Sequence, residues 1–192
     1  MNTPAHLLLG AAAFGKPATH RLLCAAFVGA LLPDLSLYLM AGVSLFVLGL
    51  PPAVVFNELY FSDAWQTVFA IDNSFVLWGA MLCIALQQRA DWAIVLTAAA
   101  VLHLAFDFPL HHDDGRPHFW PISGWVFESP VSYWDRAQGA AWIAPIEAGL
   151  AAAAAIALWV RRLPLWANLM VGVLLLAEIW VVRQWLFFFT DS

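Results

Sequence analysis

The sequence predicts an all-α fold: a polytopic integral membrane bundle of about 5–6 helices. Three observations predict it. Of 192 residues, 63% are hydrophobic and 11% charged, and the mean hydropathy of +0.79 lies far above that of water-soluble domains. The apolar stretches run unbroken for about 20 residues, as a lipid-spanning helix requires, whereas a spanning strand would alternate over about ten. The few ionisable residues inside those stretches fall at a shared depth. A net charge of −5 and the lack of a basic patch argue against nucleic-acid binding.

The elements follow in order. Thr3-Pro4 predicts a helix start, with Thr3 as cap and proline at the first helical position. That helix stops at Gly15-Lys16-Pro17. At ~16 Å it is too short to cross, so it is expected as a half-helix packed inside the bundle. An apolar stretch from Leu22 to Leu50 is interrupted by Leu32-Pro33-Asp34. Proline removes a backbone donor and disfavours helix at the residue before it, so a Pro-broken or kinked second helix is expected beside a carboxylate. Residues 51–63 form a loop.

Residues 64–86 form the next span, with Asp72-Asn73-Ser74 in its middle, and residues 91–109 the one after, with His103 and Asp107. Residues 110–138 form a polar and aromatic loop. Residues 139–160 follow, with Pro145, Glu147 and the alanines 151–155 that permit close packing. The last span runs from Leu165 to about Phe189 and carries Glu178. The chain reads as one transmembrane domain over 1–192. Its N-terminus reads as retained, because no basic residue precedes the apolar run. Cys24 and Cys83 read as buried free thiols.

Basic residues set the orientation. With Lys16 and Arg21 in the cytoplasm, Arg89, Arg161 and Arg162 fall there too, and only Arg116 and Arg136 fall in the opposite loops. The 110–138 loop is therefore expected at the periplasm or exterior. A rise of ~1.5 Å per residue then places Asp34, His103 and Asp107 roughly 18–24 Å from the cytoplasmic side, with Asp72 entering from the other face to a similar level. His6 and Glu147 join that layer. Unpaired carboxylates there cost a few kcal/mol each. Pairing, water or a cation must offset this, and a divalent ion does so best because it takes carboxylate and imidazole together.

The candidate ligands are His6, Asp34, His103, Asp107 and one of His111 and His112. His103 and Asp107 are i and i+4, on one helix face, and Pro109 lets the chain turn back toward them. Each has a plainer reading. His103 and Asp107 can be a hydrogen-bonded couple, Asp34 a cap in a broken helix, and His6 an interfacial histidine. Asp72-Asn73 can be a polar packing pair, and Glu147 and Glu178 can be protonated or bonded to backbone. Arg116, His118 and Trp120 form a rim suited to an anionic head group, or an aromatic belt with Trp125 and Trp134. Asp113-Asp114-Gly115 is first of all a turn.

His6-Leu7-Leu8, Leu31-Leu32-Pro33-Asp34 and His103-xxx-Asp107 followed by Trp120-Pro121 resemble the bacterial inner-membrane metal-dependent hydrolases of the YdjM type. More distantly, their order is similar to that of the zinc-dependent phospholipase C and single-strand nuclease superfamily. The resemblance implies His6, Asp34, His103 and Asp107 as ligands and a multi-pass chain in the bacterial inner membrane. The family's central His-x-Gly-x-Thr-His-Ser block is absent; Asp72-Asn73-Ser74 is the nearest match. Ser36 stands where the usual Asp-x-Asp has its second acid.

The expected function is a membrane-embedded hydrolase using a divalent metal, Zn²⁺ first. Its substrate would be a lipid or amphiphile, such as a phosphoester, at the outer face. Asp34 or Asp72 would act as base, and Arg116, His118 and Trp120 would bind substrate. The rival is a non-enzymatic metal-binding accessory protein or an ion- or proton-coupled transporter. That reading needs Glu147 and Glu178 in a continuous polar path to the cytoplasm.

Overall fold

A computed structural model describes residues 1–16 and 19–187. Among the described residues there are seven helices of ten residues or more and no strand. They are α1 (Thr3–Phe14), α2 (His20–Gly42), α3 (Asp63–Asp72), α4 (Phe75–Gln87), α5 (Asp91–Asp107), α6 (Ala140–Val160) and α7 (Leu165–Phe187). Four helical segments are long and apolar enough to cross a membrane: residues 20–47, 63–87, 140–160 and 165–184. The expected helical membrane bundle is what the chain forms. Phe188 and Phe189, the end of the expected last span, lie outside the described residues, as does Pro17.

The half-helix α1 packs against α2, α5, α6 and α7, with Ala5, Leu8 and Ala11 fully enclosed. Thr3 is its first residue and Asn2 its cap position, so the Thr3 hydroxyl is free for another partner. A backbone bond from Gly15 to the Ala11 carbonyl (2.8 Å) closes the helix.

The break expected at Pro33 is absent: α2 runs through it as one helix. Pro33 lacks the N–H that the Gly29 carbonyl would accept from, and two other carbonyls of this turn take partners from neighbouring elements. The Ala30 carbonyl accepts from His103 Nδ1 (2.7 Å), and the Pro33 carbonyl from Asn73 Nδ2 (3.4 Å). Irregularity comes later, as π-helical turns at Val43–Val47 and Val55–Leu59. A true break falls instead at Asn73-Ser74, which divides the expected 64–86 span. Ser74 caps α4 by accepting from the Leu77 N–H (3.1 Å).

Small residues let α1, α2 and α5 approach closely. A Cβ on Gly29 would stand 2.0 Å from the Leu96 carbonyl oxygen, and one on Gly10 would stand 2.7 Å from Ala30 Cβ. Both cysteines are free but exposed, not buried, because the helix faces carrying them turn outward to where lipid would lie.

The two ends of the bundle differ. At one, Arg21 lies over the Trp92 ring (5.3 Å) and Arg161 donates to the Ala12 carbonyl (2.6 Å). Lys16, Arg21, Arg89 and Asp91 share a cavity there. At the other, the 110–138 loop folds over the helix ends: Phe127 stacks on Phe108 (4.8 Å), and Phe75 N–H donates to the His118 carbonyl (2.8 Å). The candidate site lies beneath this loop.

Candidate metal centre

Three helices bring the site together. α5 contributes His103 and Asp107 from one face, α1 contributes His6 from its first turn, and α2 contributes Asp34 just after Pro33. His6, His103 and Asp107 are buried, and Asp34 keeps a fifth of its side chain exposed. Asp107 is the hub. Its Oδ1 lies 2.8 Å from His6 Nε2, and its Oδ2 lies 3.1 Å from His103 Nε2 and 3.6 Å from His111 Nε2. Asp34 Oδ1 lies 3.5 Å from His103 Nε2. The His6 and His103 rings stack 3.5 Å apart, 9° from parallel.

The donor set passes a test for a cation on two counts. The Ala30 carbonyl can only accept, so His103 Nδ1 carries a hydrogen. Nε2 then faces two carboxylates, so in the metal-free protein it carries a proton of its own, and a bound cation would take that proton's place. The backbone clamp on the far ring nitrogen is also how metal-binding histidines are commonly oriented. Separations count too. Ligand atoms about a tetrahedral ion with bonds of about 2.0–2.2 Å stand roughly 3.3–3.6 Å apart. His103–Asp34 at 3.5 Å and His111–Asp107 at 3.6 Å match that spacing, while His6–Asp107 at 2.8 Å and His103–Asp107 at 3.1 Å are at hydrogen-bond distance and would open slightly around an ion. The backbone nitrogen of Met1 lies 2.6 Å from Asp107 Oδ1. His6 departs from the pattern: its Nδ1 is buried without a partner.

His6, His103 and Asp107 are the tight group, each offering one atom within 4.8 Å of the others. Scans against protein-family models, curated proteins and solved structures find no match to this chain. The centre is therefore argued from its own geometry. Two imidazoles and one carboxylate, with further positions open, are a donor set that catalytic zinc uses.

A cavity of about 140 Å³ adjoins the group, with Asp34, Asp107, Tyr38, Tyr60, Arg116 and Tyr133 among its lining residues. Asp34 is held at its wall: Thr3 Oγ1 donates to Asp34 Oδ2, and Tyr38 O–H donates to Thr3 Oγ1 (2.8 Å). Arg116 is 7% exposed. Its guanidinium lies 4.2 Å over Phe69 and 4.8 Å over Tyr60, and it donates to Tyr60 Oη and to Gln66 Oε1 (3.4 Å). Among the described residues, no carboxylate comes within ion-pairing distance of it. A buried cation with Asp114 acting on it from a distance but no direct ion pair, facing a polar cavity, suits an anion.

His111 also lines this cavity, with Nδ1 3.0 Å from Asp114 Oδ1. Burial opposes its charged form, but Asp107 and Asp114 outweigh it and raise the imidazole above the ordinary range. For Asp114, burial acts upward and His111 outweighs it, holding the carboxyl low. His118 donates from Nδ1 to the Asn73 carbonyl (2.8 Å), and burial keeps its imidazole below the ordinary range.

Three expected residues stand elsewhere. His112 turns away from His111, its Nδ1 on the Ser129 carbonyl (2.6 Å) and its Nε2 3.7 Å from Glu128, because adjacent residues at a helix exit diverge. Asp72 ends α3 outside the cavity, where its neighbour Asn73 takes the wall position. Trp120 contributes its backbone carbonyl to Ser74 Oγ and no side chain to the cavity. Thr3, Tyr38, Tyr60, Tyr133 and Asp114 were not marked by the sequence as site residues. Only Asp114, three positions after His111, carried a spacing signal.

Proposed function

We propose that this chain is a metal-dependent hydrolase of the membrane, acting at the outer face on an amphiphile with an anionic, phosphoester head. The carrying observation is the convergence of His6, His103 and Asp107 beside a cavity that also holds a carboxylate base and an unpaired guanidinium. The four residues bearing the YdjM-type resemblance meet in one site, which supports that kinship and a bacterial inner-membrane location. Zn²⁺ bound by the two imidazoles and Asp107 would acidify a water and polarise the scissile group.

The chain's own residues supply the rest. Asp34 is exposed to the cavity and oriented by Thr3, so it accepts the proton that the attacking water loses. Arg116 holds the anionic oxygens, and its cation–π contacts with Phe69 and Tyr60 fix the guanidinium before substrate arrives. Tyr133 and His118 close the cavity from the loop.

The test is metal analysis of the full chain in nanodiscs after chelation and zinc reloading. About one ion per chain is expected, with loss in His103→Ala and Asp107→Asn. Hydrolysis of a phosphoester panel by the loaded protein should vanish in Asp34→Asn with the metal retained. Failure of the intact chain to take up any divalent ion overturns the proposal.

A further inference from the structure

A second cavity borders the first. About 280 Å³ in volume, it lies between the end of α5 and the outer half of α6, among Phe106, Pro109, Leu110, Ile143, Ile146 and Leu150. Apart from Glu147, every side chain lining it is apolar. Ile146 is 63% exposed, so the groove opens on the face where lipid would lie.

The wall between the two cavities is thin. Met1 lines both. Asn2 lines the polar cavity, and its N–H donates to Glu147 Oε1 on the apolar side. Asp107 belongs to the polar cavity, and the preceding residue, Phe106, to the groove. A polar pocket with an unpaired cation and an apolar groove thus flank one carboxylate.

We infer that this groove holds the hydrocarbon tail of the same molecule whose anionic head enters the Arg116 cavity, which rests on the function proposed above. The substrate class is therefore a tailed anionic lipid and not a soluble phosphoester. Lipid tails are as apolar as the groove, so leaving the bilayer gains little transfer energy. The groove contributes register: a tail lying along Phe106, Ile143 and Ile146 sets its head beside Asp107. It selects for the presence of a tail in contact with the head.

The test uses the full chain in phosphatidylcholine nanodiscs with trace phosphatidic acid carrying a diazirine in its acyl chain. Labelling of residues 106–110 and 143–150 should exceed that of the lipid-facing 81–86 segment by about tenfold, equivalent to ~1.4 kcal/mol of preference. Arg116→Ala, which releases the head, and Ile146→Trp, which fills the groove, should each abolish the excess. Ile156→Trp, similarly exposed on α6 but outside the groove, should leave it unchanged. Even labelling, or an excess that survives Arg116→Ala or is matched by tail-labelled phosphatidylcholine, overturns the inference. Labelling needs no turnover, so it is read separately from hydrolysis. A zinc-loaded Ile146→Trp protein that still cleaves both soluble and lipid phosphoesters at the parent rate leaves the hydrolase standing and removes the groove.

Discussion

Gly29→Ala offers a direct test of how the fold builds the site. The added methyl would stand 2.0 Å from the Leu96 carbonyl oxygen and 2.7 and 2.9 Å from the carbonyl carbon and Cα. These are backbone atoms and cannot rotate aside. Ordinary contact begins at 3.4 Å, so α2 and α5 must part by more than an ångström at this crossing. Overpacking of this kind costs about 1–3 kcal/mol, and the backbone obstacle puts it at the upper end, roughly 4–12 °C in Tm for a chain of this size. The next residue, Ala30, holds His103 Nδ1 at 2.7 Å, and that bond does not survive such a parting. Losing a partner that orients a metal ligand typically lowers metal affinity about 10–100-fold. The assay pairs thermal unfolding in detergent with zinc titration. Gly79→Ala is the control, since nothing lies within 4 Å of its added carbon; on helix propensity it should be neutral or stabilising by up to about 1 kcal/mol. A Gly29→Ala protein that melts and binds zinc like the parent would refute the close α2–α5 crossing and the site built on it.

Other predictions follow from the same geometry. Arg116→Lys should raise KM for an anionic lipid about as much as Arg116→Ala, because an ammonium cannot reproduce the planar contacts with Tyr60 and Phe69; rescue by lysine would argue for charge alone. Asp72→Asn and His112→Ala should change zinc affinity less than about twofold, against losses of about 10-fold or more at Asp107 and His103, and equal losses would relocate the centre. In metal-free protein, the His111–Asp114 contact should tie the 110–138 loop to the bundle in a pH-dependent way. His111 is raised in the folded state, so its contribution is full below its ordinary 6.5 and fades as pH rises through the folded value. Asp114 is lowered, so its contribution is full above 3.8 and fades on acidification. Protection factors of the loop amides, with intrinsic base-catalysed exchange divided out, should therefore be largest at mildly acidic pH and fall toward alkaline pH; a pH-independent protection factor would dismiss the pair as a tether.

The sequence made the bundle legible because a spanning helix leaves a long unbroken apolar record. It also indicated which residues would stand together in the candidate site. His103 and Asp107 share a face by spacing alone, and helical rise carried His6 and Asp34 to their level. What it missed has local causes. Pro33 reads as a break because the sequence shows the lost donor and not the packing of α1 and α5 against α2 that holds the helix straight through it. The interruption inside 64–86 is a serine cap, weaker as a signal than proline. Asp72 and Asn73 are adjacent, and no depth argument separates the one that faces the cavity. Tyr38 and Tyr60 come from a helix face and a loop whose positions depend on tertiary packing, so composition could not assign them.

The rival transporter reading turns on what lies between the buried acids and the basic end. Glu147 and Glu178 are tied sideways, through Asn2, to the first turn of α1. From that level toward Lys16 and Arg161, each helix buries apolar side chains. α1 places Leu8 and Ala11 there, α2 Leu23 and Phe27, α6 Ala151, Ala155 and Leu158, and α7 Ala167 and Val171. Most of these are 0% exposed. An ion or proton relay through such a layer would need a chain of polar side chains; among the described residues the α5 helix places Thr97 there, and its hydroxyl is turned back onto the Ala93 carbonyl (2.7 Å). Among the described residues, Asn2, which bonds both acids, lines the cavity under the 110–138 loop, and Glu147 also borders the apolar groove. Replacing Leu8 by Asn would add a polar step in the middle of the seal. If the chain conducts protons in liposomes without that change, the seal is misread; conduction by the Leu8→Asn form alone would show that this layer is what closes the path.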